Sequence, residues 1–194
     1  MSDDPWLDRW LVLVAQRAGG KPVLELGCGS GRDTEVLSAA GHHVVAIDFS
    51  PEAIAQARQR APACTFFCQD VRANFPVSPL SVNVVVASLS LHYFPWNETL
   101  VLARRVYDTL ARTGVLLCRL NSTNDHHYGA AGHAAIDRNY YLVDGEAKRF
   151  FERADVEAMF ACGWKVLDLQ ESVIRRYAFP KVVWEIVVEK EPGV

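Results

Sequence analysis

Three glycines at alternate positions, Gly27, Gly29 and Gly31, follow directly on the apolar run Val23-Leu24-Glu25-Leu26 and precede the helix-compatible stretch Arg32 to Ala40. A strand that runs into glycines can turn tightly, and backbone without Cβ atoms lets a large ligand lie against it. A helix that opens there points unsatisfied N–H groups into the same crevice. Two acids extend the pattern. Asp48 closes the apolar run His43 to Ile47, and Asp70 closes Cys64 to Gln69. A carboxylate at the end of a second strand offers two acceptor oxygens to neighbouring sugar hydroxyls, so the set suits a nucleoside. Each acid also has a plainer reading: Asp48 precedes Phe49-Ser50-Pro51-Glu52 and could cap the next helix, although Ser50 is the better cap, and Asp70 could be a turn residue.

A second group of residues could meet a reacting partner. The run Val84 to Ser88 continues as Leu89-Ser90-Leu91-His92-Tyr93-Phe94-Pro95-Trp96, without the charges of an ordinary exposed loop. His92, with Tyr93 beside it, is the candidate catalytic group, as base or as hydrogen-bond partner. An imidazole that merely fixes the loop is the alternative. Basic residues gather elsewhere: Arg175, Arg176 and Lys181 lie in the turn between the last two strands, and Arg119 near the end of the fifth. Guanidinium groups at a ligand edge would hold a small anion. A solvated hairpin whose charges pair with Asp168, Glu171 and Glu185 is the competing explanation. His126, His127 and His133 match no known metal-site spacing, so no metal is expected.

The elements that must position these groups alternate. Strands are expected near Val23 to Leu26, Val44 to Ile47, Thr65 to Gln69, Val82 to Ala87, Val115 to Leu120, Val166 to Val173 and Val182 to Val188. Helical periodicity occupies Arg32 to Ala40, Pro51 to Arg60, Glu98 to Ala111 and Arg153 to Ala161. An extra helix over 4–18 carries an apolar stripe of Trp6, Leu7, Trp10, Leu11, Val14 and Ala18 until Gly19-Gly20 stops it. Alternation predicts an α/β fold, a mostly parallel sheet with helices on both faces. The final two strands are joined too closely for a parallel crossover and must form an antiparallel hairpin. The segment 121–149 reads as a lid loop over the ligand edge, with Tyr140, Tyr141, Lys148 and Arg149 beyond its glycine-rich part and Trp6 and Trp10 as partners. A mobile solvated loop is the alternative.

The acid-then-G-x-G-x-G pattern, Glu25 with Gly27, Gly29 and Gly31, resembles motif I of the class I S-adenosylmethionine-dependent methyltransferases, and Asp48 and Asp70 stand where that family has its next acids. Together with Ser88-Leu89-Ser90-Leu91-His92-Tyr93, the chain looks like the small single-domain enzymes acting on metabolites, the tellurite-resistance type among them. The resemblance implies a Rossmann-like doubly wound sheet of seven strands in the order 3-2-1-4-5-7-6. It implies S-adenosylmethionine as cofactor, S-adenosylhomocysteine as product, and contacts from Glu25, Gly27, Cys28, Gly29, Gly31, Asp48, Phe49, Asp70, Val71, Ser88 and Leu89. Trp6, Trp10, Arg119, Tyr140, Arg175 and Arg176 are the candidates for the acceptor, expected to be a small molecule and anionic. The sulfonium is its own electrophile, so alignment and water exclusion matter more than a base. No Asn-Pro-Pro-Tyr type segment or Pro-Cys nucleophile follows strand four, which disfavours nucleic-acid bases. A dinucleotide fingerprint would want glycine where Arg32 stands, so a nicotinamide-dependent oxidoreductase is the third reading, after a non-catalytic nucleoside-binding module of the same fold.

Composition fits one domain over 1–194. A chain of 194 residues can bury roughly 70% of its unfolded surface. Half the residues are apolar and the net charge is -3, so disorder, a membrane span and a general pull towards nucleic acid are all disfavoured. The acidic start, Met1-Ser2-Asp3-Asp4-Pro5, is unlike a secretory signal and argues for the cytoplasm. The five cysteines are scattered; Cys64 and Cys68, on one face of a strand, read as small core residues rather than a thiolate pair. Oligomeric state leaves no trace in these patterns.

Overall fold

The computed structural model describes residues 4–191, so the Met1-Ser2-Asp3 part of the acidic start lies outside the described residues. In chain order the elements are α1 (Leu11–Ala18), β1 (Val23–Leu26), α2 (Arg32–Ala39), β2 (Val44–Asp48), α3 (Pro51–Arg60), β3 (Thr65–Cys68) and β4 (Val82–Ser88). They continue as α4 (Trp96–Thr109), β5 (Leu110–Asn121), β6 (Ala134–Asp137), β7 (Tyr140–Val143), β8 (Glu146–Arg149), α5 (Arg153–Met159), β9 (Trp164–Ile174) and β10 (Lys181–Lys190). The main sheet runs β3-β2-β1-β4-β5-β10-β9. Its first five strands are parallel, and β10 is antiparallel to both β5 and β9. Counting main-sheet strands alone, this is the expected 3-2-1-4-5-7-6 order with its reversed last strand.

Apolar layers cover both faces. One joins Leu24, Leu26, Val85, Leu116 and Leu120 to α4 and α5; the other joins Val23, Val44, Val84, Val115 and Leu117 to α1, α2 and α3. Burial on both sides explains why β1 reads as four consecutive buried residues. Local signals set the helix ends: the Ser50 hydroxyl accepts from the Ala53 N–H at 3.2 Å with Pro51 in the first turn, and α1 stops where Gly19 turns left-handed.

Departures from expectation have tertiary causes. The extra helix does not span 4–18: Trp6 and Leu7 are sunk in the core, a 3-10 turn covers Asp8–Trp10, and α-helix begins only at Leu11. The first residues follow the sheet surface because anchoring two large apolar side chains outweighs one further helical turn. β3 is the sheet's edge, so Cys68 is exposed and not a core residue, whereas Cys64, just before it, is half-buried and packs against the second apolar layer. The segment 121–149 is not loop throughout. Residues 134–149 form a separate antiparallel meander, β6-β7-β8. The Tyr140 hydroxyl donates to the Tyr93 carbonyl at 3.1 Å, and Arg138 pairs with Glu152 and Asp155 at the start of α5. Among the described residues no helix is long and apolar enough to cross a membrane.

Candidate functional site

The three loop glycines adopt positive φ for different reasons. A Cβ on Gly27 would lie 2.4 Å from the Ser90 Cβ, and one on Gly31 would lie 2.8 Å from the Ala57 Cα, so these two permit close packing of the β4 extension and of α3. A Cβ on Gly29 would meet nothing within 4 Å. Only Gly29 is bare for a ligand. Asp48 fixes this loop: its Oδ2 accepts from the Gly29 N–H at 2.8 Å and its Oδ1 from the Ser50 N–H at 3.0 Å. Each oxygen keeps a second lone pair for a sugar hydroxyl. Ser50, not Asp48, caps α3. Asp70 accepts from the Arg72 backbone at 2.7 Å and from its guanidinium at 2.6 Å, contacts that hold its carboxyl below the usual range.

These groups open on a cavity of about 1200 Å³ across the carboxyl ends of β1, β2 and β4. Glu25, Gly27, Cys28 and Gly29 line it from β1; Asp48 and Phe49 from β2; Asp70 and Val71 from β3; Ser88 and Leu89 from β4. Gly31 does not line it; its place is the seam between α2 and α3, a correction to its expected ligand contact. Leu89 holds φ of 56°, strained for a branched side chain, and donates its N–H to the Arg119 carbonyl at 2.9 Å. Glu25 is buried and accepts from the Thr34 hydroxyl at 2.5 Å. Burial, with the charge of Asp33 added, pushes its carboxyl well above the ordinary value. Burial raises the Asp33 carboxyl too, against the pull of Arg119 and Trp6, and raises the Cys28 thiol. Phe49 is 71% exposed, a free ring at the rim.

The far wall carries His92, Tyr93, Tyr140 and Arg176, all facing the cavity. His92 is 3% exposed, its ring lies 4.2 Å from that of Tyr93, and its Nδ1 has no partner among the described residues. Burial, then the charges of Lys181 and Lys148, pushes its pKa well below the ordinary value, so the ring is neutral at neutral pH. Burial raises the Tyr93 phenol to about 12.

Four expected acceptor contacts lie elsewhere. Arg119 is fully buried: its guanidinium pairs with Asp4 at 2.6 Å, donates to the Ser88 hydroxyl at 2.9 Å and lies 4.4 Å over the Trp6 ring. Alternation along β5 puts it on the face of Val115 and Leu117, under the N-terminal segment, rather than at the ligand edge. Trp6 stands behind the cavity wall, donating its indole N–H to Asp33 at 3.1 Å. Trp10 packs beneath Arg9, whose guanidinium is 4.8 Å from its ring, away from the cavity. Arg175 points to solvent, outside the lining. The hairpin acids meet other partners than the expected ones: Asp168 and Glu185 pair with Arg9, and Glu171 with Ser122 and Asn124. Arg176 pairs with Asp4, and Lys181 with Asp125. His127 and His133 line the cavity and His126 does not; no metal-holding cluster occurs among the described residues.

Sequence reasoning passed over Asp33, Ser90 and Asn121, which also line the cavity. Two had a signal. Ser90 follows the end of β4 and Asn121 closes β5, the positions where these strands reach the ligand edge of the sheet.

Comparison with known proteins agrees with this geometry. A family model described as a methyltransferase domain matches residues 23–114. The chain is 34% identical over 100 residues to a trans-aconitate 2-methyltransferase of Paracidovorax citrulli, covering 50% of this chain and 38% of that one. It is 34% identical over 122 residues to a malonyl-[acyl-carrier protein] O-methyltransferase of Bacillus cereus, covering 60% and 42%. The chain thus spans less than half the length of these curated relatives. Among solved structures, an S-adenosylmethionine-dependent methyltransferase of Methanosarcina mazei superposes with a TM-score of 0.75 at 16% identity, over 93% of this chain and 98% of the other. A 1,6-didemethyltoxoflavin-N1-methyltransferase of Burkholderia thailandensis with bound S-adenosylhomocysteine gives 0.69 at 19% identity, over 97% and 82%.

Proposed function

From the membership of this chain in the class I S-adenosylmethionine-dependent methyltransferases, we propose that it transfers the methyl group of S-adenosylmethionine to a small anionic acceptor. The observation that carries the reading is cavity size. One drug-sized ligand occupies roughly 300–1,000 Å³, and a cavity of about 1200 Å³ has room for a nucleoside cofactor and a second molecule. That space weighs against a non-catalytic binding module, whose acceptor side would be filled. The cofactor's adenosine would lie along Gly29, Asp48, Phe49 and Asp70, and its cationic groups would meet the buried Glu25 and the half-buried Asp33. Bound there, it supplies an electrophilic methyl carbon. The protein's own residues orient the partner and keep water away.

Charge supports an anionic partner. Lys148, Arg176 and Lys181 all face the cavity from the meander and hairpin. The names of the curated relatives point the same way, since trans-aconitate and malonyl groups are both carboxylates. A thermal-shift titration tests the cofactor: S-adenosylmethionine and S-adenosylhomocysteine should raise the melting temperature, because a ligand that binds only the native state stabilises it. Stabilisation by NAD or NADP instead would return the oxidoreductase reading. A methyl-transfer screen of acidic, neutral and basic metabolites tests the acceptor; turnover confined to neutral or basic compounds would refute the anionic class.

A further inference from the structure

The structure assigns the acceptor atom: we propose that it is a carboxylate oxygen, held by Lys148 and Lys181 together with Ser90 and His92, and that the product is a methyl ester. This rests on the methyl-transfer reading above. The wall holds cationic donors, and the buried carboxylate beside them, Asp125, is taken up by Lys181 and the Val182 N–H and does not line the cavity. His92 sits on the turn after β4, against β8, which bears Lys148, and the charge of Lys181 at the start of β10 also bears on its ring. Tyr93 lies alongside, and among the described residues no carboxylate bonds to the imidazole to favour an imidazolium. A proton accepted there would be buried beside two ammonium groups, and the Tyr93 phenol is no better a sink because it ionises only near 12. The acids Glu98 and Glu146 line the same cavity only from its exposed rim.

An alcohol or protonated amine must lose a proton to someone, whereas a carboxylate is ionised at neutral pH unaided. The donors also fit its shape. Ser90 and His92 are 8% and 3% exposed, and the Ser90 Oγ and His92 Nδ1 are buried without partners among the described residues. Buried polar atoms left unpaired are costly and are normally satisfied. Lys148 and Lys181 are already paired with Glu146 at 3.1 Å and Asp125 at 2.9 Å, but each ammonium has three N–H donors, so with the Ser90 hydroxyl and a His92 tautomer protonated on Nδ1 they leave donors for the two oxygens and roughly four lone-pair sites of a carboxylate. In the step, an oxygen lone pair forms the O–C bond to the methyl carbon while the C–S bond breaks and its electron pair stays on sulfur. Sulfonium and carboxylate become a neutral thioether and a neutral ester, and no proton moves.

The test uses the full chain loaded with S-adenosylhomocysteine, titrated by calorimetry with trans-aconitate, glutarate and the uncharged glutaramide, and then assayed with S-adenosylmethionine and the same compounds. Binding of an acid but not of the amide, with a product that releases methanol in alkali, is the expected result. Lys148→Met should raise KM for the acid about tenfold or more, as for loss of a charged hydrogen bond, with a smaller change in kcat. Lys181→Arg should retain acceptor binding that Lys181→Met loses, which separates charge from folding. The rate should be flat from about pH 6 to 9 in both the native chain and His92→Asn. An alkali-stable product, a rising pH limb abolished by His92→Asn, or no binding of either acid to the loaded protein overturns the assignment. Failure of S-adenosylhomocysteine itself to bind strikes at the methyl-transfer reading instead.

Discussion

At the scale of single residues, the glycine loop divides between ligand and packing. Gly29→Ala adds a methyl to open space, so its cost to the fold is the left-handed backbone alone, about 1 kcal/mol. The methyl enters the crevice, and S-adenosylhomocysteine affinity should fall far more than stability does. Gly31→Ala should do the reverse, because its Cβ meets backbone of α3 at 2.8 Å; melting curves and calorimetry on the pair separate the two. Glu25 gives a pH prediction. Its folded pKa is raised by burial, so the stability it contributes is present below the ordinary carboxylate value and lost as pH rises through the folded one. Glu25→Gln removes that loss while keeping an acceptor for Thr34. The variant should melt a few degrees above the native chain near pH 8, with the gap closing towards about pH 5; a gap that widens on acidification would contradict this. The acids and glycines were legible because strand ends and φ requirements restrict residue type. The place of Asp33 in the cavity wall was not legible, since nothing local marks which charged side chain folds inward.

Elements were legible where they are long and periodic. Helix starts such as Ser50-Pro51-Glu52 carry their own caps, and the β9–β10 hairpin followed from connection length. The meander was missed because its strands are four residues each and β6 is exposed throughout, leaving no apolar alternation to read. One signal was present. Asp144-Gly145 sits between β7 and β8 with φ of 52° and 84°, the positive pair of a two-residue hairpin turn, and Asp-Gly is a favoured sequence for it. Gly145→Val should therefore act locally: no atom lies within 4 Å of the new Cβ, but the backbone is strained by about 1–3 kcal/mol. We expect unchanged S-adenosylhomocysteine affinity, a weakened acceptor KM, and faster proteolytic nicking within 134–149. A fall of more than about 5 °C in the global transition would mean that meander and sheet melt as one unit.

On the scale of the whole molecule, the sheet order could be foreseen because each strand pairs with a neighbour the winding dictates, but the docking of the N-terminal segment could not. Asp4 and Arg119 are 115 residues apart in sequence, and only the fold brings them together. Their pair closes a chain of contacts: Arg119 supports the Trp6 ring, Trp6 holds Asp33 in the cavity wall, and Asp4 also reaches Arg176. The N-terminal segment thereby braces the Asp33 side of the cavity from behind. Arg119 is wholly buried, so Asp4→Asn leaves its guanidinium without its carboxylate, a loss of about 3–5 kcal/mol for a broken buried pair. That should lower the melting temperature by roughly 10 °C in a chain of this size. Replacing both charges, Asp4→Asn with Arg119→Met, removes the unpaired ion as well, and the double variant should be more stable than Asp4→Asn alone. Additive losses in this double-mutant cycle would show that the two side chains do not act as a pair. Both single variants should also bind S-adenosylhomocysteine more weakly, through Asp33, although neither residue lines the cavity; native affinity in a folded Asp4→Asn protein would mean that the N-terminal segment stabilises the sheet without bracing the site.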